Sequence, residues 1–160
     1  MNYVWREYFP DAMEYIEKWL DADAVQSTGL DEGFRDFYEY WAGEDGFVVG
    51  QNFWCKVVFQ NEEPFAVVAL AEYEGKITVM EMVVAPEKRG QGRGSKLLKE
   101  LLEREDILGF AIQECEAVIY PDNIASQNAF ENAGFQYHHS YKDEYGESMQ
   151  YVFARESING

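Results

Sequence analysis

The chain has only two cysteines, Cys55 and Cys115, with no CxxC pair and no Cys/His spacing beside them. That pattern fits neither a disulfide framework nor a structural zinc site. The two histidines, His138 and His139, are adjacent, so on a strand they would point to opposite faces and make poor co-ligands; no metal is expected. Basic residues are scarce, 13 Lys and Arg against 30 Asp and Glu, a net charge of −17. Such a field repels phosphate polyanions, which argues against nucleic-acid and anionic-membrane partners and favours cationic ones. Long apolar runs are also missing. Phe65 to Ala71 is among the longest, well short of the roughly 20 residues of a membrane span. The opening residues, MNYVWREYF, carry neither a basic nor an apolar leader region. With free thiols and no leader, the expected setting is a reducing cytoplasm.

What is present suits a folded enzyme-sized unit. The chain has 160 residues, 47% of them apolar and 16% aromatic, enough to build one core, and residues 1–160 are expected to form a single domain. A short strand is expected over 3–8, then a helix from an Asp11 N-cap with Met13, Ile16, Trp19 and Leu20 on one side. After the polar stretch DADAVQSTG a second helix is expected over 31–42, with Phe34, Phe37, Tyr38 and Trp41 as its buried stripe. Three runs, 53–60, 65–73 and 77–85, are separated by short turns and predict an antiparallel meander. Beyond Pro86 come a helix carrying Leu97, Leu98, Leu101 and Leu102, a strand over 113–120, a helix over 124–133 closed by Gly134, and strands over 135–142 and 148–155. The fold class is therefore mixed α/β, ordered β-α-α-β-β-β-α-β-α-β-β.

The most informative segment is VVAPEKRGQGRGSKLL, from Val83 to Leu98. A strand runs into three alternating glycines, Gly90, Gly92 and Gly94, and then into a helix. Glycine permits positive φ and close backbone approach, and a helix start offers unpaired N–H groups at the positive end of its dipole. Five of the 13 basic residues, Lys88, Arg89, Arg93, Lys96 and Lys99, fall within twelve positions here. Cations at a helix N-terminus are mildly unfavourable, a preference that a bound anion reverses. The reading is a diphosphate cradle. The order GxxxxGK[ST] is absent, and a GxGxxG dinucleotide loop would need glycine where Ser95 stands.

These residues resemble the GNAT superfamily of acyl-CoA-dependent N-acyltransferases. The family pattern [Q/R]-x-x-G-x-[G/A] is matched by Arg89-Gly90-Gln91-Gly92-Arg93-Gly94 after Val84-Ala85-Pro86. A second motif is matched by Asn123-Ile-Ala-Ser126, Phe130 and Gly134-Phe135. The resemblance implies a splayed, mostly antiparallel sheet flanked by helices. It also implies acyl-CoA pyrophosphate on the backbone of 89–94 with Ser95 nearby, and pantetheine paired along the 77–85 strand and held by Asn123. Ser126 and Phe130 join this set through the second motif. A bulge near Met82, Val83 and Val84 is implied to offer an N–H to the thioester oxygen. Many members have Tyr where this chain has Phe130, as the acid for the departing thiolate. Tyr120, Tyr137, Tyr141 or water are the candidate substitutes.

An alkylamine is only about 1 part in 2,500 neutral at pH 7, so acyl transfer to it calls for a base. Glu81 is the leading candidate, on the strand parity of Ile77, Val79 and Val83, with Glu72 and Glu74 behind it. Residues 11–46 carry eleven acids against Lys18 and Arg35, and the family's first two helices usually wall the acceptor site. Glu39 and Tyr40 lie off the apolar stripe and are placed to meet a ligand. The expected activity is acetyl transfer from acetyl-CoA to a primary amine of a small cationic acceptor, by direct attack in a ternary complex. A non-catalytic acyl-CoA sensor and a peptide or protein N-acetyltransferase are the alternatives. A homodimer is compatible with the family.

Overall fold

The computed structural model describes residues 2–28, 30, 32–42, 52–73, 76–144 and 146–155. The elements are β1 (Val4–Glu7), α1 (Ala12–Trp19), α2 (Ala22–Thr28), α3 (Phe34–Ala42), β2 (Asn52–Gln60), β3 (Glu63–Tyr73) and β4 (Lys76–Val84). A 3₁₀ turn (Pro86–Lys88) leads to α4 (Arg93–Glu103), β5 (Glu114–Ile119), α5 (Ile124–Asn132), β6 (Gln136–Asp143) and β7 (Gly146–Ala154). One seven-stranded sheet runs β1-β2-β3-β4-β5-β7-β6, antiparallel throughout except for the β4–β5 pair. The mixed α/β class and the mostly antiparallel sheet agree with the expectation.

Helix α2 is the element the sequence pattern did not announce. Its only buried side chain is Ala24 among those described, so it carries almost no apolar periodicity. Its signal is the cap: Asp21 Oδ1 accepts from the Ala24 N–H at 2.9 Å. Asp11 does the reverse. It stands at the N-cap of α1 in αR conformation with no side-chain cap bond.

The register assigns the two faces of the sheet. Trp54 packs on Phe110 beyond α4, and a Cβ on Gly94 of α4 would lie 3.6 Å from Met82 Cε, so these side chains share the α4–α5 face. Phe53, on the opposite parity, meets Phe37, Tyr38 and Trp41 of α3. The expected stripe of α3 thus faces the sheet, with Phe34 fully buried and Phe37, Tyr38 and Trp41 half-buried. The core sits on both faces. On one side Leu97, Leu98, Leu101 and Leu102 of α4 are buried, and on the other Ile16 and Phe34.

β4 positions the site. It pairs with β5 only at Ile77↔Cys115, Thr78↔Glu116 and Val79↔Ala117, and the two strands then diverge. On its other edge the register steps from Val79↔Leu70 to Glu81↔Ala69, leaving Met80 as an extra residue. The bulge therefore lies at Met80, earlier than the expected Met82–Val84. Leu70 and Ala69 point to opposite faces, so Val79 and Glu81 do too. The parity argument for Glu81 needs correcting accordingly. Glu81 and Val83 face the α1–α3 side, while Ile77, Val79 and Met82 face α4 and α5.

Candidate active site

Where β4 and β5 part, a cavity of about 510 Å³ passes through the sheet. Met82, Gly94, Ala129 and Phe130 line it from the α4–α5 side. Glu81 and Val118 line it from the other side, roofed by Asp23, Ala24 and Thr28 of α2. Beyond Val79 the β4 edge that faced β5 pairs with no described strand, so it presents its backbone groups to this slot.

At one end lies the glycine loop. Gly90 and Gly92 have φ of 73° and 76°, the left-handed region, and a Cβ on either would meet nothing within 4 Å. The N–H groups of Gly92, Arg93, Gly94 and Ser95 precede the first intrahelical bond of α4, from Lys96 N–H to Gly92 O at 3.2 Å. The helix has no side-chain cap and no acid in its first turn. This is an anion cradle made of backbone. Gly94 serves packing instead. A Cβ there would lie 3.4 Å from Ala129 Cβ, so the glycine lets α4 and α5 approach closely.

The basic side chains are largely committed elsewhere. Arg89 Nε donates to Val84 O at 2.9 Å, Nη2 to Trp19 O at 2.8 Å, and Nη1 to both Asp21 oxygens at 2.9 and 3.0 Å. Its own N–H donates to Pro86 O at 3.3 Å. Arg89 thus ties the cradle to the α1–α2 junction. Asp21 is held below the usual carboxylate range first by the Ala24 N–H and then by the Arg89 hydrogen bond. Arg93 donates to Gln60 Oε1 at 3.2 Å and also contacts Gln91 Oε1, while Lys96 lies 4.2 Å from the centre of the Tyr3 ring.

Of the residues singled out from sequence, Glu81, Met82, Val83, Val84, Arg89, Gly90, Gly92, Arg93, Gly94, Ser95, Asn123, Ser126 and Phe130 all line this cavity. Gln91 does not; its amide donates to Glu87 O at 3.2 Å. Asn123 caps α5, accepting from Ser126 N–H at 3.1 Å through Oδ1, which leaves its NH₂ to donate into the slot. Phe130 is buried and packs edge-on against Phe135 at 4.9 Å.

The tyrosines are elsewhere. Tyr120 is 37% exposed past the end of β5, Tyr141 is on edge strand β6, and Tyr137 shares a hydrogen bond with Ser140 at 2.8 Å; none lines the cavity. Glu39 and Tyr40 of α3 do not line it either, because the acceptor-side wall is α2. Asp31, Glu44, Asp45 and Glu74 lie outside the described residues. Glu72 contributes nothing to the slot; its carboxylate accepts from Asn52.

Glu81 is half-buried, and no described group bonds or pairs with it. Burial pushes its carboxyl up to about 8 from an ordinary value near 4.5. An unpaired carboxylate whose pKa lies near neutrality is equipped to take a proton. The thiols are not equipped for attack: burial raises Cys55 and Cys115 to about 12, and neither lines the slot. Among the described residues no group of three or more His, Cys, Asp or Glu side chains could hold a metal, and no helix is long and apolar enough to cross a membrane.

Comparison with known proteins agrees with this geometry. A search of curated proteins finds no match. Among solved structures, aminoglycoside acetyltransferase AAC(6')-Ib with paromomycin and acetyl-CoA superposes at a TM-score of 0.77 and 17% identity, covering 97% of this chain and 94% of that one. Spermidine N-acetyltransferase from Vibrio cholerae, with CoA and spermine, gives 0.73 at 14% identity, with 95% of each chain covered. An acetyltransferase of Salmonella typhimurium that modifies the N-terminal serine of ribosomal protein L7/L12 gives 0.73 at 14%, covering 96% of this chain and 95% of that one. Residues 7–135 match the acetyltransferase (GNAT) family. With the family pattern spanning residues 7–135, most of the chain, the protein belongs to the GNAT family of acetyl-CoA-dependent N-acetyltransferases.

Proposed function

We propose that the acceptor is a primary amine on a small cationic molecule, acetylated by direct attack while both substrates occupy the slot. The observation that carries this reading is the unpartnered Glu81 carboxylate on the face opposite the phosphate cradle, in one continuous cavity.

The backbone N–H groups of 92–95 would hold the pyrophosphate of acetyl-CoA, and the Asn123 amide and the free β4 edge its pantetheine arm. The ammonium of the acceptor enters from the α2 side and pairs with Glu81, which lowers that carboxyl's pKa and favours the charged pair. Glu81 takes a proton from the ammonium, directly or through one water. The freed lone pair attacks the thioester carbon, and an N–H at the Met80 bulge would stabilise the oxyanion. The carbon–sulfur bond then breaks, the amide forms, and the thiolate takes its proton from water or from the amine nitrogen as it loses its second proton. With a phenylalanine at 130 and Tyr120, Tyr137 and Tyr141 outside the slot, no phenol is assigned to that step. Both thiols are buried away from the slot, which favours direct transfer over an acyl-enzyme.

The peptide alternative has one point in its favour, the structural likeness to the enzyme acting on an N-terminal serine. A thiol-release assay with polyamines, aminoglycosides and short peptides separates the two. Turnover confined to peptide N-termini would replace the small-amine reading.

A further inference from the structure

We infer that the acceptor has two cationic nitrogens, and that Glu116 holds the one that does not react. This rests on the assignment of Glu81 to the reacting amine. Glu116 pairs with Thr78 across the β4–β5 junction, and both side chains point to the same face as Glu81. The next residue of β5 on that face is Val118, which lines the cavity and is 49% exposed, so among the described residues this side of the slot is open at Val118. Glu116 stands two residues before Val118 on the same face.

Its carboxylate is held in place by neutral donors. Thr78 Oγ1 donates to one oxygen at 3.3 Å and Gln150 Nε2 to the other at 2.9 Å, and no described cation pairs with it. The site therefore has orientation without neutralisation. Each carboxylate oxygen retains a lone pair after one hydrogen bond, so the group can still accept from an ammonium. With Met80 bulged out, Thr78 and Glu81 stand opposite Ala71 and Ala69, two residues apart on β3, and Glu116 lies one strand over from Thr78, which sets the Cα atoms carrying the two carboxylates roughly 8 Å apart. A molecule with one reacting amine and a second ammonium at about that distance satisfies both. A monoamine satisfies only Glu81.

The test is a thiol-release assay with acetyl-CoA, comparing linear diamines of increasing length with monoamines of matched length. The wild-type protein should prefer the longer diamines in kcat/KM. Glu116→Gln, which keeps the side chain's shape, should raise the diamine KM about tenfold, the loss of one partly exposed charge-assisted bond. It should leave kcat, the monoamine KM and the acetyl-CoA KM unchanged. A Glu116→Gln protein that keeps the diamine preference, or loses monoamine and diamine turnover equally, overturns the assignment. Wild-type turnover with no diamine preference overturns it while leaving Glu81 and the amine reading intact. No turnover with any amine overturns both.

Discussion

Replacing Glu81 by Gln removes a titratable group that faces the acceptor side of the slot and has no described partner. Gln keeps the shape and one acceptor oxygen, so the acetyl-CoA dissociation constant should stay within about twofold. General-base assistance contributes about 10²–10⁴-fold, and turnover should fall by that factor. The pH profile gives the sharper discrimination. With the carboxyl near 8, wild-type kcat/KM should climb about tenfold per pH unit and level off near pH 8, where Glu81 is ionised. In Glu81→Gln that break should vanish, and the rate should keep climbing towards the amine's own pKa near 10.4.

Stability should move the opposite way to activity. The folded protein holds the Glu81 proton up to about pH 8, whereas the unfolded chain releases it near 4.5. The group's contribution is therefore full below the unfolded value and is lost as pH rises through 8, by at most ~1.4 kcal/mol per unit. Glu81→Gln should remove that slope, so that above pH 8 the variant is more stable than wild type in urea titrations. A folded variant with normal turnover, an unmoved break near pH 8 and lower stability at high pH would show an ordinary structural glutamate and refute the reasoning.

Other substitutions test the remaining parts. Gly92→Val puts a β-branched residue at φ 76°, costing roughly 1–2 kcal/mol, yet its Cβ meets nothing within 4 Å; the fold should survive while calorimetric titration shows CoA binding weakened at least tenfold. Arg89→Met should change CoA affinity less than about threefold, because the guanidinium is committed to Asp21, Trp19 and Val84; a loss of a hundredfold would place it on the pyrophosphate. Phe130→Tyr should raise kcat if thiolate protonation limits turnover and leave it unchanged otherwise, and a large fall would contradict the account. Tyr120→Phe and Tyr141→Phe should each keep turnover within about twofold, since neither side chain lines the slot.

Much of this was legible in the chain because particular residues report on backbone. The glycine-rich loop after Pro86 marks the cradle, since φ near 75° is costly for anything but glycine and a helix start supplies N–H groups. Gly134, at φ 105°, closes α5 as its position suggested. What escaped the pattern involves pairings remote in sequence. The bulge at Met80 leaves no composition signal and appears only in the step of register against Ala69 and Leu70, yet it reverses the face of Glu81. Helix α2 buries too little to show a period, and Arg89 looks like a phosphate ligand until Asp21, 68 residues away, is seen to hold it. Glu116 carried no motif at all; its neighbours Thr78 and Gln150 come from other strands.

The most direct measurement of the central claim is product stoichiometry. Purified protein is mixed with acetyl-CoA and a cationic primary amine, free thiol is followed, and the products are weighed by mass spectrometry. The account requires one N-acetylated amine for each free CoA, release that depends on the amine, and no acetylated protein at any time. CoA bound at the cradle without amine-dependent release, or an acetyl group trapped on the chain, would contradict it.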